Sequence, residues 1–109
     1  MKKIITLITI AAAATFLAAD PPAGTNASSV VVRIDNFSFT PQTLTVHAGT
    51  KVTWINKDDV PHTVTSNDKT FKSGVLDTDG QFSYTFSTPG TNGYFCSVHP
   101  HMTGKIIVR

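Results

Sequence analysis

The chain has 109 residues, of which 40% are hydrophobic and 15% charged, and it contains one cysteine. This length suits one small domain, and a single cysteine excludes an intramolecular disulfide. Once residues 1–19 are set aside, Lys2 and Lys3 go with them and the remaining positive and negative charges balance. Neither nucleic acid nor an anionic membrane is therefore expected as a partner.

The N-terminus has the pattern of a secretory signal peptide. Met1, Lys2 and Lys3 form a short basic start, and residues 4–19 carry no charge. This run is shorter than the roughly 20 apolar residues that a membrane span needs, and small residues precede Asp20. We predict a signal peptide over 1–19, export to the periplasm and no stable membrane insertion after cleavage. An uncleaved N-terminal anchor is the alternative.

Residues 20–29, with the sequence DPPAGTNASS, are predicted to be a flexible leader because they have no apolar period. The rest of the chain shows short β-branched or alternating segments separated by Gly, Pro, Asn and Asp, and no convincing helical period. The predicted strands lie at 30–34, around Phe37 and Phe39, Leu44 and Val46, and Val52 and Trp54, then at 82–86, 90–96 and 105–108.

This spacing predicts an all-β fold, a β-sandwich of about seven to eight strands, over residues 30–109. The alternating pattern places four aromatic residues in the core: Trp54, Phe82, Tyr84 and Phe86. Phe95 has the opposite parity to Cys96, so we expect it to face outward, either as an ordinary surface residue or as a port for electrons beside Cys96. The polar stretch 67–80 is predicted to be an irregular connection with room for a short helical turn.

The chemistry of the chain is concentrated near its end, in the sequence CSVHPHM over residues 96–102. Cys96, His99 and Met102 lie three residues apart, and His62 follows Pro61 further upstream. One Cys, two His and one Met form the ligand set of electron-transfer copper sites, in which the thioether is a weak axial ligand. Zinc sites draw on Cys and His and use a thioether poorly. The sequence therefore predicts a copper site.

The order of these residues indicates how they meet. A strand over 90–96 would carry the sulfur to one end of the sandwich, and the tight loop with Pro100 would turn His99 and Met102 toward the same ion. His62 must come from a neighbouring strand end. The predicted metal ligands are thus His62, Cys96, His99 and Met102, with one copper ion per chain.

Residues 30–109 resemble the cupredoxins, the family of small blue copper proteins. The segments that carry the resemblance are FTP at 39–41, VHAG at 46–49, VTWIN at 52–56, Pro61-His62 and GYFCSVHPHM at 93–102. The resemblance implies a Greek-key sandwich and a one-electron carrier with His62, Cys96 and His99 equatorial and Met102 axial. The short spacing from Cys96 to Met102 is that of the amicyanins within this family.

Thr63 departs from a pattern common in the family, and Val98 and His101 depart from that of the amicyanins. Thr63 stands where many members have Asn, and we expect its hydroxyl and amide to brace the Cys96 loop. Val98 replaces a proline, so its N–H is expected to donate to the Cys96 sulfur and to raise the reduction potential above that of amicyanins. His101 replaces an apolar aromatic residue, which predicts a reduced apolar docking surface. His101 itself is interpreted as a solvated loop residue or a partner contact, and His47 as solvated.

The leading functional hypothesis is a monomeric electron carrier whose partners are redox proteins such as a dehydrogenase, an oxidase or a cytochrome. A copper carrier or chaperone is the alternative, but such proteins favour Met-rich or His-rich loops, and Met102 is the only methionine besides Met1. A copper enzyme would need further histidine pairs, a second copper site or a second cysteine. We therefore expect no enzymatic activity.

Overall fold

The computed structural model of the protein describes residues 28–109, which form eight strands and no helix. The strands are β1 (Ser29–Asp35), β2 (Ser38–Thr40), β3 (Thr43–Val46), β4 (Thr50–Asn56), β5 (Thr65–Ser66), β6 (Gln81–Phe86), β7 (Gly90–Phe95) and β8 (Thr103–Val108). A search of this part of the chain finds no helix with the length and apolar character needed to cross a membrane. The predicted signal peptide and most of the predicted leader lie outside the described residues.

The strands form two four-stranded sheets, in the orders β2-β1-β4-β6 and β3-β8-β7-β5. Both sheets are mixed, because β1 pairs with β4 and β3 with β8 in parallel, while the other pairs are antiparallel. The predicted β-sandwich and its number of strands are confirmed. β1 begins at Ser29, one residue before the predicted start of the domain.

The core lies between the inner faces of the two sheets. Trp54 on β4 is fully buried, and its ring meets that of Tyr94 on β7 edge-on at a centroid distance of 5.4 Å. Phe86 is buried, and Phe82 and Tyr84 are partly buried against the same cluster. The predicted core aromatics therefore all face inward, as the period-2 pattern of a strand requires.

Tyr94 is held by a close fit rather than by hydrogen bonds. Within the described residues, neither its hydroxyl nor the Trp54 indole N–H finds a partner. Burial raises the pKa of Tyr94 to about 12, although the nearby Trp54 N–H acts in the opposite direction. A Cβ at Gly104 would lie 2.5 Å from the Tyr94 Oη atom, so the absence of a side chain there makes room for the phenol.

The segment 67–80 is an irregular connection, as predicted. It contains turns and isolated bridges but no helical turn, and β5, just before it, was not predicted. Phe71 and Leu76 from this segment are buried in the core. Leu76 also exchanges two backbone hydrogen bonds with His62, at 3.1 Å and 2.7 Å. The segment is therefore a structural support for His62.

Candidate metal centre

His62, Cys96 and His99 meet at one end of the sandwich. One ligand atom from each lies within 4.8 Å of the others. The Cys96 Sγ atom is 3.7 Å from His62 Nδ1 and 3.9 Å from His99 Nδ1. Cys96 and His62 are fully buried, whereas His99 is partly exposed. The structure thus brings three of the four predicted ligands together around a thiol.

The loop between β7 and β8 is closed by its own backbone. The Cys96 N–H donates to the Met102 carbonyl at 3.0 Å, and the Met102 N–H donates to the His99 carbonyl at 2.9 Å. The strands end and begin directly outside this loop, at Phe95 and Thr103. Met102 is 6% exposed. The loop is therefore tight and pinned at both ends, with its methionine turned inward.

Thr63 braces the cysteine, as predicted. Its N–H donates to the Cys96 Sγ atom at 3.3 Å, and its hydroxyl oxygen accepts a hydrogen bond from the Ser97 N–H at 2.7 Å. These contacts tie the end of β7 to the strand end that carries His62. Hydrogen bonds of this kind orient metal ligands and tune the metal.

The prediction for Val98 is wrong. Among the described residues, the backbone N–H that reaches the Cys96 sulfur is that of Thr63, while Val98 is exposed to 46% and its N–H does not contact the sulfur. The physical reason is tertiary: Thr63 comes from another segment of the chain and donates to the sulfur. The expected rise in reduction potential above that of amicyanins loses its basis.

Phe37 covers the two histidines and was not predicted to be part of the site. Its ring lies edge-on to His62 at 5.5 Å and to His99 at 5.1 Å between centroids. Asn36 and Phe37 have φ angles of 52° and 58°, in the left-handed region, which costs about 1–3 kcal/mol per residue and often marks functional sites. An aromatic residue after a turn asparagine is too common a pattern to have indicated this role.

Asp58 lies behind His62 and was likewise missed. One of its carboxylate oxygens, Oδ2, is 2.7 Å from the His62 Nε2 atom. Burial raises the pKa of Asp58, but hydrogen bonds from the Phe37 N–H, the His62 ring and the Asn36 N–H outweigh burial and leave this pKa below its usual value. In the sequence, Asp58 and Asp59 are typical of an ordinary polar turn.

The surface next to His99 is apolar. It is lined by Phe37, Val98, His99, Pro100, His101 and Met102, and Phe37 and Val98 are exposed to 50% and 46%. Phe37, from a distant segment, thus adds an aromatic ring to this surface, and its expected reduction relative to amicyanins stays a prediction.

Three of the remaining expectations concern solvent exposure. His47 and His101 are exposed, as expected for solvated residues. Phe95 lies between the buried Tyr94 and Cys96 and is itself partly exposed, so it faces outward as expected but is not fully exposed.

Known proteins show which family this chain belongs to. The Cupredoxin-like domain model matches residues 6–108. The chain belongs to the cupredoxin family. Amicyanin of Paracoccus versutus is 33% identical over 107 residues, which cover 94% of this chain and 78% of that protein. Chloroplastic plastocyanin of Tetradesmus obliquus is 36% identical over 100 residues, covering 77% and 68%.

Solved structures give the same result. A purple cupredoxin from Nitrosopumilus maritimus superposes with a TM-score of 0.71 at 32% identity, covering 73% of this chain and 99% of that chain. The Cu(I) form of an amicyanin variant gives 0.70 at 31% identity, covering 74% and 82%. A buried thiol between two imidazoles is also a soft donor set that suits copper. Family and donor set together bear out copper as the cofactor of this cupredoxin.

His101 provides a test of which loop histidine binds the metal. His99 belongs to the cluster and His101 does not, so we expect His101→Ala to change the copper affinity less than twofold and to leave the visible spectrum unchanged. His99→Ala, the matched variant, should lower the affinity by at least 100-fold. Titration of each metal-free protein with copper measures both. A large loss in His101→Ala with a changed spectrum would exchange the roles of the two histidines.

Proposed function

We propose that this cupredoxin is a periplasmic one-electron carrier with a mononuclear copper site formed by His62, Cys96, His99 and Met102. The observation that supports this proposal most directly is the Cys96 sulfur between the Nδ1 atoms of His62 and His99. Copper bound there would supply one-electron chemistry by cycling between Cu(I) and Cu(II).

The protein holds the ligand side chains in fixed positions. His62 is fixed by backbone bonds to Leu76 and by Asp58, and the Cys96 sulfur is fixed by the Thr63 N–H. Because His62 and Cys96 are fully buried, their side chains have little room to rearrange when the charge of the metal changes. A small rearrangement favours rapid electron transfer in both directions.

His99 is the route by which electrons would enter and leave. It is the one partly exposed member of the cluster, and it lies within the apolar surface that Phe37 and Val98 extend. Contiguous exposed apolar surface favours contact with another protein. We infer that a redox protein docks here and exchanges an electron through the His99 imidazole, and that the carrier acts as a monomer.

The proposal is tested by electrochemistry of the copper-loaded protein. We expect one reversible one-electron wave and rapid exchange with small redox reagents, without turnover of phenols or nitrite, because four protein ligands leave no position for a substrate. Sustained oxygen consumption with a phenol would contradict the carrier function. Tight copper binding without reversible electron exchange, together with copper transfer to a chelating acceptor protein, would favour the alternative, a copper carrier or chaperone.

A further inference from the structure

Asp58 connects three parts of the site through one carboxylate. Its Oδ1 atom accepts a hydrogen bond from the Asn36 N–H at 2.6 Å, and its Oδ2 atom accepts one from the Phe37 N–H at 2.9 Å. The same Oδ2 atom lies 2.7 Å from His62 Nε2. The side chain is 11% exposed. A ring predicted to bind metal and the turn that covers it thus share one anionic partner.

The first consequence concerns the proton on His62. A carboxylate only accepts hydrogen bonds, so the Nε2 atom that faces Asp58 must carry the hydrogen in the neutral ring. The Nδ1 atom, which faces the Cys96 sulfur at 3.7 Å, is then left with its lone pair free. Asp58 therefore selects the tautomer in which His62 can donate to a metal on the cysteine side.

The second consequence concerns Phe37. Asn36 and Phe37 both have positive φ angles, a backbone region that bulky residues seldom adopt. Their two N–H groups are held by Asp58, and this backbone places the Phe37 ring against both histidines. Without the carboxylate, these two N–H groups lose their partner and the turn is free to relax.

Asp58 is itself held in place. Its N–H donates to the Asn56 Oδ1 atom at 2.9 Å, and its carbonyl accepts a hydrogen bond from the Thr78 hydroxyl at 2.6 Å. Asn56 is fully buried, and its Nδ2 group donates to the carbonyls of Val60 and Leu76. The carboxylate is therefore positioned before any metal binds.

We propose that Asp58 is a positioning residue of the metal centre, which sets the tautomer and orientation of His62 and holds Phe37 over both imidazoles. This inference rests on the proposed function, because it takes His62 to be a metal ligand. In this proposal, the Asp58 carboxylate orients the ligand His62 and also holds Phe37 in the apolar surface beside His99.

Asp58→Asn tests the proposal, and Asp59→Asn is the matched control. Asp59 is adjacent and exposed, so both variants remove one negative charge, but the amide introduced by Asp58→Asn has only one oxygen to accept three hydrogen bonds. In the metal-free protein, ¹⁵N NMR should show the Nε2–H tautomer of His62 in the wild type and in Asp59→Asn, and its loss in Asp58→Asn. Amide exchange of Asn36 and Phe37 should be at least tenfold faster in Asp58→Asn alone.

Copper affinity gives a second readout. Loss of such a partner typically lowers metal affinity by about 10–100-fold, and we expect this loss in Asp58→Asn but not in Asp59→Asn. An unchanged tautomer in Asp58→Asn would overturn the proposal, even if affinity fell, because charge alone would then explain the effect. If Asp58→Asn does not fold, the proposal is tested on the wild type. We then expect slow exchange of the His62 Nε2 proton, and rapid exchange would contradict the proposal.

These outcomes are separate from the proposed function. The tautomer and the amide exchange are measured without metal, so they do not depend on electron transfer. Suppose that the wild type exchanges electrons reversibly, but Asp58→Asn and Asp59→Asn have the same His62 tautomer, amide exchange and copper affinity. This result would overturn the role of Asp58 and leave the carrier function intact. A wild type with the expected tautomer but no electron exchange would overturn the carrier function alone.

Discussion

Replacing Cys96 by serine is expected to abolish the intense visible colour of the copper-loaded protein. The colour should arise from charge transfer from the Cys96 thiolate to Cu(II), and a serine hydroxyl is a hard, weak donor that cannot replace it. Copper affinity should fall at least 1,000-fold, which corresponds to about 4.1 kcal/mol. Absorption spectroscopy and copper titration of the purified variant measure the two effects.

The control for this experiment is His47→Ala, which removes an exposed histidine outside the cluster. It should keep both the colour and the affinity of the wild type. Because serine is close in size to cysteine, the free energy of unfolding of metal-free Cys96→Ser should lie within about 1 kcal/mol of the wild-type value. An intense visible band that survives Cys96→Ser would show that the metal is held elsewhere.

Replacing Trp54 by alanine is expected to cost the metal-free protein about 3–5 kcal/mol of its free energy of unfolding. Trp54 is fully buried, and its ring lies within about 6 Å of those of Phe71, Phe82 and Tyr94. A domain of this size is stabilised by about 5–15 kcal/mol in total. The variant should therefore lose a large fraction of its stability.

Urea denaturation at equilibrium measures this loss as a lower midpoint with an unchanged slope. Val75→Ala is the control, because the Val75 side chain is 66% exposed and its truncation should change the free energy of unfolding by less than 0.5 kcal/mol, roughly the effect of most surface substitutions. A loss below about 1 kcal/mol in Trp54→Ala would contradict the arrangement of the core around this ring.

The sequence by itself was sufficient for the class of fold, and it singled out His62, Cys96 and His99, which the structure brings together. Alternation along Phe82, Tyr84 and Phe86 depends only on the two-residue period of a strand, which holds wherever the strand lies. Cys96 and His99 lie so close in the chain that a tight loop, closed by backbone hydrogen bonds to Met102, brings them together. His62 was recognised from the ligand chemistry and the family resemblance.

Tertiary structure decided everything that joins distant segments. Hydrogen bonds join Asp58 to Asn36 and Phe37, which lie more than twenty positions away in the chain. A local sequence pattern contains no information on such a contact. Phe71 and Leu76 are buried although their segment is polar, and the Phe71 ring packs against those of Trp54 and Tyr84.

The prediction for Val98 failed for the same reason. An N–H three residues or fewer from a sulfur is a reasonable donor by sequence distance, yet Thr63, from another strand end, supplied the donor instead. Local spacing therefore accounts for the proximity of Cys96 and His99 within one loop. The packing of remote segments determined which groups orient those residues, because hydrogen-bond partners depend on where strand ends meet in space.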